Sequence, residues 1–201
     1  SNLTRSFVFR YHIRKDIINQ YMPGAIVGLF ISALIIYTLI SFFQVESAKE
    51  IKIDFLKPLI GIFILWFLFG KQYKVETEQP HFFGVGALSG VCTVFIGATG
   101  PLIAPFFLKG IYSKENIIAN KAVCQAISHI GKIPLFIVFF EFNYFSELKV
   151  LIPLIIAVFV GTNLGKKILK FIPEKIFRFF FRGALTIIAV KLIIDQLMPL
   201  L

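Results

Sequence analysis

What the chain has little of narrows its class before any motif does. Cysteine occurs only at Cys92 and Cys124, both within apolar segments, so they read as buried thiols, with no disulfide or metal signature. Histidine occurs only at His12, His81 and His129, too scattered for the spacing of a zinc motif. Acidic residues number 11 against 21 Lys and Arg, and all but Asp195 fall in loops between apolar runs. The clustered acids, zinc motif or activated nucleophile of an intramembrane enzyme are therefore missing. No nucleotide-binding loop is present, and no basic cluster is interleaved with aromatics as a single-strand groove requires. No cofactor, metal or nucleic acid is expected. Ser1 is neither an initiator Met nor the start of a signal peptide, and the chain reads as N-terminally truncated.

What it has in abundance is apolar surface. Of 201 residues 57% are hydrophobic and 25 are Phe, with a mean hydropathy of +0.83. Soluble domains hold about 45–50% apolar residues, so an all-α polytopic membrane protein is expected. Apolar spans are predicted at Met22–Phe43 (Pro23 in its first turn), Pro58–Gly70, Ala122–Phe140, Leu151–Leu164 and Phe179–Met198. Ser1–Asn19 reads as the last turns of a helix entering a basic loop, Lys109–Asn120 as a loop, and Lys166–Arg178 as a basic linker.

The stretch Phe82–Leu108 differs from these. It carries no charge, yet Gly97-Ala98-Thr99-Gly100-Pro101 in its middle disfavours a continuous helix. Each arm, Phe83–Ile96 and Pro101–Leu108, is shorter than the roughly 20 residues a spanning helix needs. Broken backbone at membrane depth persists only when buried in protein or lining a wet cavity. Discontinuous helices of this kind form substrate sites in transporters. Pro101 suits the first turn of the second arm, Thr99 is placed to cap it, and the positive helix end favours an anion. The competing reading is a kinked spanning helix whose glycines serve packing.

A weak internal echo suggests two related halves. Residues 55–62 resemble 180–187, Gly28 and Ser32 echo Gly161 and Gly165, and Arg5 echoes Lys132. Residues 1–70 would be the remainder of an N-terminal half, 71–81 a linker, and 82–201 the C-terminal half. Charge then decides the topology. If Phe82–Leu108 dips in and returns, the loops at 1–21, 71–81, 109–121 and 166–182 share one side with 15 Lys and Arg, against 4 on the other. If it spans, the split is 7 against 12. Cytoplasmic loops are the basic ones, so the re-entrant version is preferred. It makes the halves an inverted repeat.

The glycine-rich segment ending G-A-T-G-P-L-I-A-P-F-F-L, followed by N-K-A-V-C-Q-A-I-S-H, resembles the second half of the sulfite exporter TauE/SafE family. The Pro23 span and the Gly161/Gly165 span are similar to the third helix of each family half. The resemblance covers nearly the whole chain and lacks the family's opening helices. Where relatives often show a Gly-Gly pair in the break, this chain has Ala98-Thr99. It implies a multi-pass permease of the prokaryotic plasma membrane that moves sulfite or another sulfur oxyanion by alternating access.

Candidate solute-binding residues follow from position. Gly97, Thr99, Gly100 and Pro101 form the break. On the next span Gln125, Ser128 and Lys132 share a face, with His129 beside them as a candidate proton carrier. Lys132 lies within an apolar span, where charge is costly and by default functional; snorkelling to an interface is its alternative. The alternative for Ser128 is a bond to its own backbone, as membrane serines often make, and for His129 a packed neutral ring. Asn163, between Gly161 and Gly165, is placed to line the path or bond a neighbouring helix, and Arg5 to supply a symmetric charge or sit in a loop. The expected partners are a small anionic solute and the lipid bilayer, with a homo-oligomer left open. An intramembrane enzyme and a non-transporting scaffold subunit are the competing classes.

Overall fold

The computed structural model describes residues 2–48, 56–70, 81–96, 99–108, 112–141 and 148–197. In chain order they form α1 (Asn2–Val8), a 3-10 turn (Arg10–His12), α2 (Lys15–Phe43), α3 (Leu56–Phe69), α4 (Phe82–Ile96), α5 (Gly100–Leu108), α6 (Lys114–Phe140), α7 (Leu148–Leu169) and α8 (Glu174–Leu197). The chain is an all-α membrane protein. Among the described residues, α2, α6 and residues 152–169 of α7 are long and apolar enough to cross a membrane. α8 is as long but carries Arg182, Lys191 and Asp195, and α3 and α4 are shorter apolar helices. The outward faces are apolar, with Ile152, Ile155, Ile156 and Phe159 exposed along α7.

Helix boundaries reach beyond the apolar runs: α2, α3, α6, α7 and α8 start earlier, and α7 also ends later. α2 begins at Lys15, not Met22, so Pro23 lies inside the helix and not in its first turn. α6 begins at Lys114, so most of the loop expected at 109–120 is helical. There Ser113 caps the end, its hydroxyl accepting from the Asn116 amide at 3.2 Å. The basic stretch 166–178 is largely the last turn of α7 and the first of α8. Charged residues end the apolar run but not the helix, because their long stems reach the interface.

The directions of the helices make α4 and α5 a hairpin, the arrangement that the re-entrant reading requires. Phe82 opens α4 beside the start of α2, its amide donating to Gln20 Oε1 at 3.3 Å. Phe107, near the end of α5, packs against that same Phe82 with ring centres 5.2 Å apart. α5 therefore returns to the end of the bundle from which α4 departed. At roughly 1.5 Å per residue α4 advances about 21 Å and α5 comes back about 12 Å. Neither crosses a hydrocarbon core of about 30 Å.

α2, α4 and α6 run parallel in the centre. The α2–α4 contact is a seam of small residues, Gly24, Ala25, Gly28 and Ser32 against Gly86, Ala87 and Gly90. A Cβ at Gly90 would stand 2.5 Å from the Ala25 carbonyl oxygen, so the backbones meet where only glycine fits. Ser32 Oγ reinforces the seam, donating to the Val91 carbonyl at 3.1 Å. A second close crossing joins α3 to α8 antiparallel, where a Cβ at Gly61 would lie 2.6 Å from the Ala189 oxygen. Helices from both predicted halves thus interleave in one packed unit.

Candidate functional site

The site is built where α2, α4, α5 and α6 meet. Tyr21, two turns into α2, is fully buried, and its hydroxyl donates to Ser89 Oγ on α4 at 2.6 Å. The same oxygen lies 2.7 Å from Ser128 Oγ on α6, and the two serine hydroxyls are 3.2 Å apart. Tyr21 has one proton and spends it on Ser89, so Ser128 donates to Tyr21 and Ser89 to Ser128. Each hydroxyl gives one bond and takes one, in a ring sealed from solvent. Ser128 therefore bonds across helices and not to its own backbone.

One turn beyond Ser89, Thr93 is also fully buried, as is Thr99 between α4 and α5. Neither hydroxyl has a hydrogen-bond partner among the described residues. An unsatisfied buried hydroxyl costs about 1–3 kcal/mol, so each of the two asks for a ligand or water. Thr99 stands at the N-cap position of α5, and its carbonyl accepts from the Ile103 amide at 3.1 Å. Its hydroxyl does not cap the helix as expected, since it takes no amide proton. The first-turn amides of α5 lack intrahelical partners in any helix, and Pro101 contributes none.

Gln125 closes the break from the α6 side. Its Nε2 lies 2.6 Å from where a Cβ at Gly100 would stand, so a larger residue there would have to push the Gln125 amide aside. Gln125 lies near the middle of α6, which puts the break deep in the bundle. Thr99, Gly100, Gln125 and Ser128 are thus brought together, with Pro101 half-buried beside them. Gly97 falls outside the described residues. His129 is half-buried next to Ser128, and Lys132, also half-buried, holds its ammonium 5.0 Å from the Phe136 ring centre.

Asn163 and Arg5 lie elsewhere. Asn163 donates to the Phe159 carbonyl one turn back on α7 at 2.9 Å. It borders a cavity of about 220 Å³ with Phe7, Arg10, Tyr11 and Lys166. Arg5 lines an adjoining cavity of about 410 Å³ with Phe9, Gly161, Gly165 and Lys166. Tyr21, Ser89 and Thr93 are the residues that sequence reasoning missed. The signal available was the pair Ser89 and Thr93, four apart and hence on one face of a helix otherwise built of small and apolar residues.

An all-helical membrane bundle with a re-entrant broken helix, and polar groups gathered at the break, has the architecture of a transporter. The comparison with protein families agrees in kind. This chain belongs to the sulfite exporter TauE/SafE family, which matches residues 1–192. No curated protein and no solved structure matches it.

Proposed function

We propose that the protein is a secondary permease for a small anion, a sulfur oxyanion such as sulfite or an organosulfonate, working by alternating access. The observation that carries this reading is the meeting of the broken helix with Gln125 at depth, one turn from Ser128, with the buried Thr99 hydroxyl at the start of α5 and that of Thr93 on α4 both lacking a partner among the described residues. Such an end favours negative charge. Alternating access is supported by helix directions. α1, α2 and α3 correspond to α6, α7 and α8 in the internal echo, and each pair runs in opposite directions, as an inverted repeat requires. The close antiparallel contact of α3 with α8 fits a pseudo-twofold axis between them.

The test is sulfite flux into proteoliposomes. Saturable uptake is expected in the wild type, and its loss in Lys132→Ala, because a half-buried cation one turn from Ser128 would draw the anion along the path toward the break without entering the binding cluster itself. Absence of saturable flux for every sulfur oxyanion would overturn the permease reading. Unchanged flux in Lys132→Ala would remove that residue from the path.

A further inference from the structure

Resting on the permease reading of this site, we infer that the cluster at the break selects a singly charged oxyanion that still carries a proton, the hydrogensulfite class, over a dianion such as sulfate. The polar side chains that the adjoining helices carry around the break, Tyr21, Ser89, Thr93, Thr99, Gln125 and Ser128, are all neutral and all buried. The flanking cations of α6 are turned onto aromatic rings, Lys121 over Phe181 at 5.1 Å and Lys132 over Phe136 at 5.0 Å. A helix N-terminus offers roughly half a positive charge. That can offset one buried negative charge but leaves a second largely uncompensated, and desolvating an unmatched charge is costly.

The hydroxyls favour a proton-bearing guest for a separate reason. Lysine, arginine and amide N–H groups only donate, whereas hydroxyl oxygens both donate and accept. Five buried hydroxyls sit on the segments that border the break, three in the Tyr21–Ser89–Ser128 ring and two without partners among the described residues. A fully deprotonated oxyanion uses only their protons, and the lone pairs of neighbouring hydroxyls oppose it. An anion with one O–H group donates into those lone pairs while its other oxygens accept from Thr99, Gln125 and the α5 amides. The ring tolerates this exchange because its three protons circulate in a closed loop, and one hydroxyl can turn outward while the others stay paired.

Binding is measured by calorimetry on the protein in lipid nanodiscs, at one neutral pH. The three probes are sulfate (two charges, no proton), methanesulfonate (one charge, no proton) and hydrogenselenite (one charge, one proton). Hydrogenselenite is expected to bind at least ~10-fold tighter than sulfate, with methanesulfonate between them. Tyr21→Phe and Thr99→Val should each narrow the gap between hydrogenselenite and methanesulfonate by about tenfold, since each removes a hydroxyl that accepts. Circular dichroism verifies that both retain their helices, and Ser89→Ala serves the same purpose if Tyr21→Phe does not fold. Sulfate binding as tightly as hydrogenselenite overturns the inference and leaves the permease reading standing if sulfite flux is seen. Loss of affinity for all probes equally in the hydroxyl variants also overturns it. Absence of both binding and flux for every anion sinks the permease reading itself.

Discussion

Replacing Gly90 by alanine tests whether the glycine seam sets the geometry of the site. The added Cβ would stand 2.5 Å from the Ala25 oxygen and 2.9 Å from Gly28 Cα and Leu29 N, whereas ordinary contact begins at 3.4 Å. All three neighbours are backbone, so no side chain can rotate away and α2 must part from α4 by about 0.9 Å. Ser89 is adjacent to Gly90, and its bond to Tyr21 is 2.6 Å long. The same displacement stretches that bond to about 3.5 Å, past useful hydrogen-bonding range. Overpacking costs about 1–3 kcal/mol and the lost bond about 1 kcal/mol more. Thermal unfolding in mild detergent, followed by circular dichroism, should show Gly90→Ala destabilised by roughly 2–4 kcal/mol. The control is Gly84→Ala on the same helix, where a Cβ meets nothing within 4 Å. It should be neutral or gain up to about 1 kcal/mol from helix propensity. If the two variants melt alike, the seam does not hold the helices at this spacing and the coupling to the hydroxyl ring is wrong.

Two further expectations concern the end of the bundle where α2 and α6 begin. Asn120 is fully buried, accepting from the Arg14 amide at 2.7 Å and donating to the Asn116 carbonyl at 2.8 Å. Asn120→Ala should lower stability by about 1–3 kcal/mol by leaving these groups unpaired, and a melting curve matching wild type would show that water replaces them. Single cysteines introduced as His81→Cys, Ser113→Cys and Lys170→Cys in a background with Cys92 and Cys124 replaced by serine should be labelled by an impermeant maleimide from one side, and Gln44→Cys from the other. Labelling of His81→Cys and Ser113→Cys from opposite sides would show that residues 82–108 cross the membrane.

Much of this architecture could be read from residue types alone. The interruption at 97–101 is visible because two glycines and a proline fall there within five residues, and α4 and α5 end within a residue of where composition places them. The shared end of the four basic loops followed from a charge count, and the helix directions agree with it. Tyr21 was lost for a definite reason. The apolar run starts at Met22, so a tyrosine just before it looks like an interfacial aromatic. α2 in fact starts at Lys15, which carries Tyr21 two turns inward. Thr93 and Ser89 were passed over because a hydroxyl on a glycine-rich helix shows its worth only once the facing helix is known. Local sequence does not reveal which helix faces which.

The positive charge of the chain has a structural cause beyond membrane orientation. α1, α3, α5 and α7 all finish at the same end of the bundle, and a helix end leaves its last carbonyls without partners. A cation supplied by another element reaches each of these ends. Lys166 Nζ donates to the Val8 carbonyl at 2.7 Å and Arg182 to Leu68 at 2.9 Å. Arg178 reaches the Leu108 carbonyl at 3.1 Å, and Lys114 the Leu169 carbonyl at 2.9 Å. Of the helices that begin at this end, α2, α6 and α8 carry an acid in the first turn, Asp16, Glu115 and Glu174, and α4 carries none. Both patterns match the polarity of the helix dipole. At the opposite end α2 and α6 finish without a basic residue in their last turns and turn off through left-handed Gln44 and Glu141, with φ of 52° and 47°. A cation count that distinguishes the two sides of the membrane is therefore also a count of helix ends that need carbonyl partners. Neutralising Arg178 or Arg182 would loosen the α5 or α3 terminus as well as weaken the charge bias.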